Sequence, residues 1–182
     1  MSYLAPGLQG LLVLLVAAAA AFDLRQRRVP NWLTAAGLLS GIGMNIFLFE
    51  TDGLWISLEG TGLALLIYVP LFALRAMGAG DAKLMAAVGA ITGPANWIGV
   101  MILTSLFGGI VAVALVLGKG RVRHTLQNLK LILTSWRFHH LPYHLSPELD
   151  VGSDQSLRLP HALSILLGTI TFLVAAYIWA PR

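Results

Sequence analysis

From Ala82 to Gly118 the chain runs for 37 residues with a single charge, Lys83. No fold in water can bury a run like this. It is also nearly twice the ~20 apolar residues that carry a helix across a hydrocarbon core roughly 30 Å thick. Gly93-Pro94-Ala95-Asn96 lies inside it and supplies a turn, which splits the run into a short crossing and a fuller one. Comparable apolar stretches occupy four other places. The sequence therefore predicts an all-α integral membrane protein with about six transmembrane helices, near residues 4–22, 32–49, 54–74, 82–93, 97–117 and 160–180. With 57% hydrophobic and 11% charged residues, little is left over for a soluble domain, so 1–182 reads as one polytopic domain. The apolar start, Leu8 to Phe22, has no basic segment before it and no convincing small-residue cleavage site after it, and reads as a retained first span.

The basic residues give a topology. Arg25, Arg27, Arg28, Arg75, Lys83, Lys119, Arg121, Arg123, Lys130, Arg137 and Arg158 all fall on one side of this layout, leaving only Arg182 of the 12 Lys and Arg residues opposite. Lys and Arg concentrate in loops that stay cytoplasmic, which predicts that both termini face away from the cytoplasm. The net charge of +4 forms no continuous stripe. Lipid headgroups account for it, and no nucleic-acid partner is expected. Between Arg121 and Phe138, Val122, Leu126, Leu129, Leu133 and Trp136 recur at helical spacing among polar residues, which predicts an amphipathic helix lying on the cytoplasmic leaflet. A polar loop follows to Leu159, so that 118–159 forms one cytoplasmic segment. On the other face, Glu50 and Asp52 mark a short loop. Glu59, a turn inside the third span, reads as an interfacial acid rather than one facing a polar interior.

The chain has no cysteine, which excludes a disulfide, a thiolate metal site and a Cys nucleophile. Two aspartates stand apart from the other acids. Asp23 closes the first span and Asp81 opens the fourth, and the topology puts both at the same level on the cytoplasmic face. Two carboxylates brought together share one proton, because like charges in a partly desolvated site cannot both ionise cheaply. The ionised partner can then take a proton from water while the neutral one donates to a carbonyl, so a peptide bond can be hydrolysed without metal or cofactor. Each residue also has a simpler reading. Asp81, after Gly78 and Gly80, can be a helix cap, and Asp23 can be an interfacial anchor balanced by Arg25, Arg27 and Arg28. The two glycines remove side chains where the backbone turns or where an extended peptide approaches. Pro30-Asn31 prepares the second span.

Taken together, Asp23-Leu24-Arg25-Gln26-Arg27-Arg28-Val29-Pro30-Asn31 and Gly78-Ala79-Gly80-Asp81-Ala82-Lys83-Leu84 resemble the two signature segments of the type IV prepilin peptidases, which are G-x-G-D membrane aspartyl proteases. The resemblance implies Asp23 and Asp81 as the catalytic pair, with Gly78, Gly80, Lys83, Pro30 and Asn31 in support and no metal. It implies a bacterial inner-membrane enzyme that removes a short leader from prepilin-like proteins at the cytoplasmic face, after a glycine and before the hydrophobic helix. Its partners would be the prepilin, the bilayer and the pilus-assembly machinery. Leu159-Pro160-His161-Ala162-Leu163-Ser164-Ile165 resembles the segment that opens the last span in the short members of tight-adherence (Flp) pilus systems. His161 stands there in place of an expected aromatic and is read as packing at the cytoplasmic edge. Larger members methylate the new N-terminus and carry a cysteine-bearing insertion, which this chain lacks, so peptidase activity without methylation is expected. Signal-peptide peptidases and presenilins usually carry Tyr-Asp where this chain has Phe22-Asp23. A different class of function remains open to the same residues: a small transporter or pilus-assembly scaffold that uses the two aspartates as an ion relay.

Overall fold

A computed structural model of the chain describes residues 4–120, 122–123, 125–127, 130 and 161–179. Among the described residues there is no strand. The long elements among them are α1 (Pro6–Gln26), α2 (Asn31–Ala73), α3 (Ala79–Gly118) and α4 (His161–Trp179). All four are long and apolar enough to cross a membrane. Most of the predicted amphipathic helix and the polar loop after it lie outside the described residues. Of that helix, Val122, Arg123, Thr125, Leu126, Gln127 and Lys130 are described, and they are helical and exposed.

Two of the helices are folded back on themselves. α2 leaves helical geometry at Glu50 (φ 54°, ψ −130°). Beyond it, a β-carbon on Gly53 would run into the backbone of Asn45 and lie 3.0 Å from the Ile46 nitrogen. In an unbroken helix, residues 45 and 53 would stand about 12 Å apart. α2 is therefore two antiparallel arms, 31–49 and 51–73. α3 breaks at Gly93, whose φ of 71° and ψ of 171° suit a residue without a β-carbon, and Pro94 follows. Past the break, the Trp97 Nε1–H donates to the Met85 carbonyl at 3.0 Å, twelve residues back. A straight helix would hold these about 18 Å apart.

The short first arm of α3, residues 79–92, is the centre of the bundle. Leu84, Met85, Ala87, Val88, Ala90 and Ile91 are all fully buried. Both arms of α2 pack on it. Breaking α3 at Gly93, next to a proline that has no N–H, frees carbonyls in an apolar interior, where an unpaired polar group is costly. Two side chains from α2 replace the missing donors. The Asn45 Nδ2 donates to the Ala90 and Ile91 carbonyls at 2.9 and 3.3 Å, and the Ser57 hydroxyl donates to Ala90 at 2.8 Å. Where the second arm of α2 crosses α3, Gly60 and Gly89 bring backbone against backbone. A β-carbon on Gly60 would lie 2.8 Å from the Gly89 carbonyl carbon and 3.0 Å from the Gly93 α-carbon. Small residues let membrane helices approach this closely, and packing replaces the hydrophobic drive that lipid does not supply.

Large apolar side chains point outward along every helix, among them Phe47, Leu66, Leu14 and Trp179. A continuous apolar exterior of this kind suits lipid contact. The acids Glu50 and Asp52 are exposed at the tip of the α2 hairpin, and Glu59 is exposed on its second arm, away from the bundle interior.

Candidate active site

α1 ends when Arg27 enters the left-handed region (φ 52°) and its N–H returns to the Asp23 carbonyl at 2.8 Å. Asp23 thus occupies the last turn of α1, with its side chain half-buried. The first N–H groups of any helix lack partners within that helix. One of these from α4, the N–H of Ala162, donates to the Asp23 Oδ2 at 3.2 Å. Residues 139 positions apart are thereby joined, and α4 opens directly onto the end of α1.

Asp81 sits three residues after Gly78, the N-cap of α3. Its carboxylate accepts the Gly78 backbone N–H, which is one half of a capping box. The capping reading of Asp81 therefore holds in a modified form: the side chain reaches back from the third helical position. That does not exhaust its role. The same half-buried carboxylate lies within electrostatic reach of Asp23 and of the His161 imidazole, so the ends of α1, α3 and α4 meet around it.

The two motif segments are joined outside this cluster as well. The Lys83 ammonium donates to the Asn31 Oδ1 at 2.9 Å, tying the first turn of α3 to the start of α2. Lys83 is exposed and engages Asn31. Pro30 is the N-cap of α2, with φ −63° and ψ 138°, and its carbonyl accepts the Leu33 N–H at 3.1 Å. Val29 packs beside Gly80, where an added β-carbon would make ordinary contact at 3.5 Å. Gly78 is tighter, since a β-carbon there would stand 3.3 Å from the Asp81 Oδ2. Gly78 has an extended backbone open to any residue, so its space beside the carboxylate, and not its φ, makes a side chain unwelcome.

Two features of the site escape sequence reasoning. One is the donor from the α4 backbone, which has no side-chain signature. The other is Tyr68, buried in the second arm of α2 with its ring edge-on to Trp97 at 6.0 Å and within electrostatic reach of Asp81. A tyrosine in an apolar span, where a polar tip needs a partner, was the available signal. Among the described residues, no group of three or more His, Asp or Glu side chains is placed to hold a metal ion.

Residues 10–113 match the model of the type IV leader peptidase family, a stretch that covers more than half the chain and contains both aspartates and both motif segments. The chain belongs to the type IV leader peptidase family. No curated protein and no solved structure matches it. The family match ends inside the second arm of α3, so α4, with its N–H donor to Asp23, lies beyond the matched residues.

Proposed function

We propose that this leader peptidase is an aspartyl endopeptidase that removes the leader of type IV prepilin-like substrates, with Asp23 and Asp81 as the catalytic pair. The observation that supports the reading is that Asp81, capped by the Gly78 N–H, stands within electrostatic reach of Asp23, which accepts the Ala162 N–H where α4 opens. In the reaction, one carboxylate takes a proton from water as the oxygen attacks the scissile carbonyl. The other, protonated, donates to the carbonyl oxygen. As the tetrahedral intermediate collapses, the proton taken from water passes to the leaving amine, the second carboxylate recovers its own, and the C–N bond breaks.

The folding back of α2 at Glu50 and of α3 at Gly93 supports six membrane crossings. The placement of basic residues supports an inner-membrane protein with its site on the cytoplasmic face and both termini in the periplasm. The segment that opens α4 favours Flp-type prepilins as substrates, and the cysteine-free chain favours cleavage without N-methylation.

The test is co-expression with an Flp-type prepilin, followed by mass spectrometry of its N-terminus. The wild type should yield a mature, unmethylated end, and Asp23→Asn and Asp81→Asn should each leave the leader attached while the variant still inserts. Substantial cleavage by both variants would refute the pair.

A further inference from the structure

The second arm of α2 runs antiparallel to the first arm of α3 in a register that three contacts define. Gly93 lies against Ile56, Ala90 accepts the Ser57 hydroxyl, and Gly89 crosses Gly60. Continued eight residues further along both arms, that register brings Tyr68 opposite Asp81. Gly60, Ala64 and Tyr68 follow one another at four-residue spacing and are all buried, so the stripe that makes the crossing leads to the phenol.

Tyr68 is also held from behind. Its ring meets Trp97 edge-on, with centroids 6.0 Å apart and an interplanar angle of 73°. Trp97, fully buried, is fixed in turn by its hydrogen bond to the Met85 carbonyl, one turn beyond Asp81 on the same helix. The fold-back of α3 at Gly93 thus delivers a rigid aromatic support to the level of the candidate catalytic aspartate. The Tyr68 phenol lies within electrostatic reach of Asp81.

We propose that Tyr68 is a positioning residue of the peptidase site, its phenol set at the level of Asp81 so that, once substrate and water fill the site, the hydroxyl donates to the Asp81 carboxyl and fixes the orientation in which Asp81 exchanges protons. The inference rests on the two-aspartate reading. It adds a third polar group, contributed by a helix that carries neither aspartate. It also gives the break at Gly93 a catalytic consequence, because without it Trp97 would not reach Tyr68.

Tyr68→Phe keeps the ring and its contact with Trp97 and removes only the hydroxyl. A hydrogen bond to a charged group is lost, so kcat for prepilin cleavage should fall roughly ten- to a hundredfold, with KM within about twofold of wild type. The melting temperature of the purified variant in detergent should not change. Tyr68→Leu should lower both the melting temperature and kcat. A Tyr68→Phe enzyme with wild-type kcat would overturn the proposal. So would one whose melting temperature falls together with its activity, since the hydroxyl would then be serving the fold. Asp81→Asn measured alongside separates the two readings: wild-type cleavage by that variant would refute the aspartate pair itself, whatever Tyr68→Phe does.

Discussion

Gly60→Ala is the substitution whose cost follows most directly from the bundle geometry. The new methyl would meet the Gly89 carbonyl carbon at 2.8 Å and the Gly93 α-carbon at 3.0 Å, both of them backbone atoms that cannot rotate away. Ordinary carbon–carbon contact needs about 3.5–4.0 Å, so α2 and α3 must separate by roughly 1 Å. Replacing glycine within a helix returns about 0.5–1 kcal/mol, whereas overpacking of this kind costs about 1–3 kcal/mol. The balance is a net loss of about 1–2 kcal/mol, which at ~2–4 °C per kcal/mol lowers the melting temperature by several degrees. Because the same crossing sets the register of Tyr68 against Asp81, a displacement of about 1 Å should also reduce leader cleavage by as much as ~100-fold. Gly62→Ala is the internal control. Gly62 lies two residues along the same arm, is exposed, and has no atom within 4 Å of an added β-carbon. It should melt at or above the wild-type temperature and cleave normally. Thermal melting in detergent micelles and a prepilin cleavage assay read both effects. Wild-type behaviour of Gly60→Ala, or an equal loss in Gly62→Ala, would refute the close crossing.

Asn45→Ala leaves the Ala90 and Ile91 carbonyls short of a donor in the bundle interior, and should destabilise by about 1–3 kcal/mol, seen as a lower melting temperature. Gly78→Ala should lower kcat by crowding the Asp81 Oδ2 at 3.3 Å, whereas Gly80→Ala, whose methyl would rest against Val29 at 3.5 Å, should retain most of its stability; parallel kinetics and melting check both. Lys83→Met and Asn31→Ala each break the same exposed hydrogen bond, so each should cost no more than about 1 kcal/mol, and the double variant should be no worse than the poorer single one.

The all-helical architecture was legible in the sequence, and so was the choice of Asp23 and Asp81, which the structure holds within electrostatic reach of each other. Long apolar runs leave few folds available, and the two aspartates stand at span ends that loop charges predict to share a face. Gly93-Pro94 also announces itself, since a missing β-carbon beside a missing N–H marks a break. What hydropathy could not supply is register. Gly60 and Gly89 are unremarkable small residues until two helices are laid across each other, and Tyr68 is one aromatic among many until that crossing aligns it with Asp81. The partner of Lys83 was hidden for a related reason. Helical periodicity turns its side chain away from Asp81, but only the packing of α2 on α3 supplies Asn31. The Ala162 N–H had no side chain by which to be noticed, and its role depends on where α4 begins.

The absence of native cysteine makes the central geometry directly measurable, because a chain carrying Asp23→Cys and Asp81→Cys holds only two thiols. In isolated membranes, a short bis-maleimide should join them within one chain, giving a species that a protease cut in the segment between α1 and α3 does not separate. Efficient labelling of each thiol singly, with no such cross-link, or labelling of the two from opposite sides of the bilayer, would contradict a shared site.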